Sequence, residues 1–223
     1  MNDTGCDAAV HSAMTTEHFV LQGAASATSA DAGSRSSLYV LALSSSLIAI
    51  GFTSRSPDLF LPFAAVVLPV IFLLGLLTTI RLVDITLESQ QYLSNIARVR
   101  AYYRTLSPAA ETYFSQHTGR WPEAAYNPSG QLGSLMDSLS TTATMIALIN
   151  NAVGAVGVAL LTRSQMGAGH VALPVIAGAA TFVVLTIAFV RFENWRFREI
   201  ERFAFPTDPP RGRGVIPSKG DGG

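Results

Sequence analysis

The chain has 223 residues, of which 49% are apolar and only 13% charged. An ordinary soluble domain is about a quarter charged, so the deficit points to burial in lipid. The formal net charge is zero, which leaves no global field to draw the protein to nucleic acid, and the single Cys6 rules out an internal disulfide.

Residues 1–35 are rich in Ala, Ser, Thr and Gly. They carry Asp3, Asp7, Glu17 and Asp31, with no basic residue before Arg35. They show no hydrophobic periodicity, so an unstructured tail is predicted. A secretory signal peptide would need a basic start followed by an apolar run, and that pattern is missing.

Four stretches free of Asp, Glu, Lys and Arg follow, at 36–54, 59–80, 138–162 and 171–190. A bilayer core about 30 Å thick requires about 20 apolar residues of helix. A soluble bundle would show polar faces at helical spacing, and these runs are apolar all round apart from Ser, Thr and Asn. The predicted fold is an all-α membrane protein with four transmembrane helices as two hairpins, 36–80 and 138–190, with helical extensions into the cytoplasm. Pro62, Pro69 and Pro174 fall inside spans, where neighbouring helices can re-satisfy the freed carbonyls.

Loops on the cytoplasmic side carry excess Lys and Arg. The turns at 55–58 and 163–170 hold only Arg55 and Arg163, whereas the opposite side holds the other thirteen basic residues. Both termini and the middle segment, 81–137, are therefore expected in the cytoplasm, and the protein in the inner membrane of a bacterium.

Within that segment Leu82, Ile85, Ser89, Tyr92, Ile96, Val99, Tyr103 and Leu106 recur at spacings of three and four, a heptad stripe with one polar break. Pro108 disfavours a helical residue before it and so ends the helix or starts another. The stripe, centred on Tyr92, Ile96, Val99 and Tyr103, has three readings. It can pack on the protein's own C-terminal amphipathic helix, 191–205, through Phe192, Trp195 and Phe203. It can bind a second copy or another protein, or it can lie on the membrane surface. Residues 109–137 contain a short helical pattern and then a turn-prone stretch, in which Trp121 and Tyr126 suit the headgroup level.

Asn150 and Asn151 are the most polar point of the third span, beside a small-residue stripe of Ala143, Ala147, Gly154 and Gly157. Small residues allow close helix approach, and an amide can then bond across the seam. The pair reads as interhelical glue. The other readings are the lining of a water or ion pathway, and a lipid or small-molecule site. Ala42, Ser46, Ala49 and Thr53 on the first span form a similar stripe and the expected partner. The tail, 206–223, is Pro- and Gly-rich and reads as disordered; its Arg211 and Arg213 are too few to argue for RNA.

No Walker A loop, G-x-S-x-G, H-E-x-x-H or paired cysteines occur. His11, His18, His117 and His170 lack metal-site spacing, and no ionisable residue lies deep in a span. No catalytic, cofactor or metal site is expected, and a proton- or ion-coupled transporter is disfavoured.

The run IARVRAYYRTLSPAAETYF, after a span ending in RLVD, resembles a stretch recurring in small multi-pass membrane proteins of actinobacteria. Arg98, Arg100, Tyr102, Tyr103 and Phe114 carry the likeness, and it brings no activity with it. The layout of two spans and a cytoplasmic helix is also similar to that of pore-forming effectors of bacterial conflict systems. The expected function is a non-enzymatic inner-membrane protein acting through self-assembly or partner binding. The alternative is a passive channel or pore-forming effector.

Overall fold

A backbone surrounded by apolar material must satisfy its own N–H and C=O groups, and a helix does so within one segment. All four apolar runs are helical. The computed structural model describes residues 3–106, 109–110, 141–166 and 171–204. Its helices are α1 (Asp3–Thr53), α2 (Pro57–Arg104), α3 (Thr142–Met166) and α4 (Ala172–Ala204). Each is long and apolar enough to cross a membrane. Among the described residues there is no strand.

Local chemistry sets the ends of α2. Ser56 precedes the helix in an extended conformation, Pro57 takes the first turn where its missing N–H costs nothing, and Asp58 lies in the same turn, favourably placed for the helix dipole. The helix continues through Pro62 and Pro69 and stops at Thr105, whose N–H bonds back to the Tyr102 carbonyl, just ahead of the Ser107–Pro108 step.

The first correction to the sequence reading lies at the N-terminal end. The segment read as an unstructured tail is helical from Asp3 and runs without a break into the first apolar stretch. The inward face of α1 recurs at His11, Met14, His18, Leu21, Ala25, Thr28, Ala32, Ser36 and Tyr39, each buried or half-buried. That is the three-four spacing of a coiled-coil seam. Most of its positions hold small or polar residues, which carry little hydropathy but allow the partner helix to come close.

The partner is α2. Thr15 lies beside Tyr103 with their hydroxyls 3.4 Å apart, and Asp31 pairs with Arg81 at 3.8 Å. Tyr39 lies against Gly75. These contacts step in opposite directions along the two helices, which are therefore antiparallel. Helices α3 and α4 also run antiparallel, with Asn151 opposite Thr186 and Ala155 against Gly178. The middle of α2 packs on α3, whereas α2 and α4 meet only briefly and α1 touches α3 over a short stretch.

A main core joins the pairs through Tyr39, Leu68, Ile71, Leu82, Ala147 and Phe189. A separate cluster, beyond Arg81 along the α1–α2 pair, gathers Leu21, Ile96 and Val99, with Met14, Tyr92 and Tyr103 packed on them. At the end of the molecule that carries Arg35 and Arg81, Arg35 bonds Asp31 at 2.9 Å and Arg81 reaches Glu88 at 3.5 Å. Arg196 on α4 clasps Asp84 on α2 at 2.5 Å. The expectations for 111–137 (Phe114, Trp121 and Tyr126 among them) and for 206–223 lie outside the described residues.

Candidate functional site

Asn150 and Asn151 project from α3 to different neighbours. Asn150 is 2% exposed, and the Tyr39 hydroxyl donates to its Oδ1 over 3.1 Å. Asn151 is also buried, and its Nδ2 donates to the Thr186 hydroxyl of α4 over 3.3 Å. Adjacent helical residues are about 100° apart, so one Asn-Asn step binds α1 with one amide and α4 with the other.

The approach of α2 to this point depends on Gly75. A Cβ there would overlap the Asn150 amide and lie 2.7 Å from Tyr39 Cε2. Gly154 has the same role a turn further along α3, where a Cβ would meet Phe72 at 2.8 Å and Leu185 at 3.1 Å. Gly157, by contrast, has open space around its Cα. Of the small-residue stripe, Ala143 and Ala147 are buried and Gly154 makes a close contact.

The α1 partner of Asn150 differs from the expected one. It is Tyr39, a turn before the Ala42, Ser46, Ala49 and Thr53 stripe, because α1 lies mainly along α2 rather than α3. Tyr39, Gly75 and Thr186 were not singled out from the sequence. A tyrosine near the start of an apolar run reads as an interface residue, and a glycine in a leucine-rich helix reads as background. Only the register of packing brings the three together.

Beside the asparagines lies a partly open cavity of about 240 Å³. Phe72, Leu76 and Ile80 of α2 and Leu185, Phe189 and Phe192 of α4 form most of its wall, with Asn150, Asn151 and Thr79 as its polar members. The sparse contact between α2 and α4 leaves this space, and the Asp84–Arg196 pair closes the gap between the same helices beyond it. Thr79 is 5% exposed, and its hydroxyl has no hydrogen-bond partner among the described residues.

The heptad stripe of α2 faces inward, and what it meets is the N-terminal half of α1. Ile96 and Val99 are each 7% exposed and pack on Leu21, while Tyr92 and Tyr103 close the sides. His11 stacks obliquely near Tyr102, ring centroids 6.0 Å apart. The expected partner, the C-terminal helix, lies elsewhere: Phe192 packs on the main core and Trp195 is 58% exposed. Leu106, the last stripe position, is also exposed. The side chain of Phe203 lies outside the described residues.

Among the described residues no three His, Cys, Asp or Glu side chains come together as a metal would require. Comparison with protein-family models, with characterised protein sequences and with solved structures finds no match.

Proposed function

We propose that the chain is a non-enzymatic, multi-pass protein of a bacterial inner membrane, which acts by assembling with itself or with a partner protein through the stalk that α1 and α2 build beyond their membrane spans. The stalk comprises residues 3–35 of α1 and 81–104 of α2. At 1.5 Å per residue the α1 portion extends about 50 Å. The excess of basic residues at this end favours the cytoplasm for the stalk and for both termini.

One observation carries the reading. Phe19 and Val20 on the stalk are 67% and 60% exposed, well outside the apolar spans. Phe19 lies 17 residues, about 25 Å of helix, before the first uncharged apolar stretch at 36, whose exposed Leu and Val residues suit contact with lipid. Large apolar side chains left exposed on a solvated helix favour a contact there. The stripe at Tyr92, Ile96, Val99 and Tyr103 serves that surface from behind, by holding α1 in place.

The test is photo-crosslinking in cells from a reactive amino acid at position 19, with Gln22 as a second site on the same helix. Discrete adducts, lost on Val20→Ser, are expected. A chain that remains free at both positions would overturn the reading.

The channel reading is weaker, because the asparagine amides are engaged in bonds between helices. Ion flux through purified protein in liposomes separates the two. Assembly without flux is the expected result.

A further inference from the structure

We propose that the cavity between α2, α3 and α4 is a binding site for one acyl chain of a membrane glycerolipid, with the ester carbonyl of that chain accepting a hydrogen bond from the Thr79 hydroxyl. The inference is independent of the assembly reading and rests on Thr79, on depth and on size.

Threonines in these helices commonly return their hydroxyl to the carbonyl four residues back. Thr78 bonds the Leu74 carbonyl at 2.8 Å and Thr86 the Leu82 carbonyl at 2.9 Å. Thr79, between them, does not, although it is 5% exposed. It lines the cavity instead. A buried hydroxyl that forgoes the local bond costs free energy unless something else fills the place. The nearby Asn150 lines the same wall with its Oδ1 engaged by the Tyr39 hydroxyl, so it does not satisfy Thr79. The Thr79 hydroxyl is therefore a donor at this wall that lacks an acceptor among the described residues.

Depth selects the acceptor. Thr79 is two residues from Arg81, the first charge on α2 beyond the span, which is about 3 Å along the helix. It lies at the edge of the hydrocarbon layer, where glycerol esters lie, and well short of the bilayer centre. From this point the wall continues inward through Phe72, Leu76, Leu185 and Phe189, with Asn150 and Asn151 as its other polar members.

Size limits the occupant to a portion of a single chain. At about 30 Å³ per water-sized group, 240 Å³ holds about eight such groups. That suits the upper portion of an acyl chain, and it falls below the roughly 300–1,000 Å³ of sites that enclose a whole drug-sized ligand. The gap between α2 and α4 gives a chain lateral access from the bilayer.

The probe is a diacyl phosphatidylglycerol with a diazirine on an acyl carbon close to the ester, carried as a trace in vesicles of phosphatidylethanolamine and phosphatidylglycerol around the full-length protein. Labelling is expected to concentrate on 72–80 of α2 and 185–192 of α4. Thr79→Val should lower it about two- to tenfold, the worth of one hydrogen bond. Ala188→Phe at the cavity rim should abolish it while the melting temperature holds, and Leu76→Phe serves if Ala188→Phe does not fold. The ether-linked probe, which lacks the carbonyl, should label as weakly as Thr79→Val. Two results overturn the proposal. One is labelling no stronger here than at the lipid-facing Val66 and Val184, unmoved by every substitution. The other is equal labelling by ester and ether probes.

Discussion

Tyr39 on α1 and Asn150 on α3 stand 111 positions apart in the chain, yet the tyrosine hydroxyl donates to the asparagine Oδ1 over 3.1 Å. The bond ties together two helices that otherwise meet only briefly. It also passes directly over Gly75 of α2, so three helices converge on one polar contact. Hydrogen bonds between membrane helices are worth little singly, about 0.6 kcal/mol on average. The importance of this one lies in fixing register.

Tyr39→Phe and Asn150→Ala should each lower bundle stability modestly, and the double variant should lose less than their sum. A double-mutant cycle in detergent, read by thermal or denaturant unfolding, should give a coupling of about 0.6 kcal/mol. Strict additivity would show that the contact does not act as a bond.

Gly75→Ala should destabilise by about 1–3 kcal/mol, because its Cβ would overlap the Asn150 amide and crowd Tyr39. Gly157→Ala is the control. Nothing stands within 4 Å of the added carbon, and alanine is the better helix former by about 1 kcal/mol. The control should be neutral or stabilising. The reverse order of the two would show that α2 does not approach α3 at Gly75.

Ile96→Asp with Val99→Asp puts two carboxylates into the stalk cluster. Membrane insertion should be unchanged, because the spans keep their hydropathy. The 3–35 segment should become sensitive to protease, and Leu21→Asp should reproduce the effect from the opposite helix. Wild-type resistance in both variants would show that this seam does not hold α1.

Orientation is read by cysteine labelling in a Cys6→Ser background. Ser26 and Ser56 are both exposed and lie at opposite ends of the first span. An impermeant thiol reagent on intact cells should modify Ser56→Cys and leave Ser26→Cys untouched. The opposite pattern would place the stalk outside.

The four apolar helices were legible because uncharged runs of about 20 residues have few other uses. The α2 stripe was legible for the same kind of reason: Leu82, Ile85, Ile96 and Val99 are large enough to make a period visible. The facing stripe on α1 escaped, since Ala25, Thr28, Ala32 and Ser36 carry the same period in residues that also suit a disordered tail. What distinguishes the two cases is the presence of α2 alongside, a tertiary fact. The asparagines stood out as amides in an apolar run. Their partners Tyr39 and Thr186 did not, because contacts 111 and 35 positions away depend on register rather than on local pattern.

The α1 seam also imposes an order of events during synthesis. Leu21 leaves the ribosome about 80 residues ahead of Val99, its neighbour in the stalk cluster. At about 5–20 residues per second that is an interval of roughly 4–16 s. An isolated helix in water is marginal, and one whose buried side is mostly small or polar has little else to hold it. For those seconds the 3–35 segment is an unzipped strand of the nascent chain, open to chaperones and proteases, until the second helix threads back and closes over it.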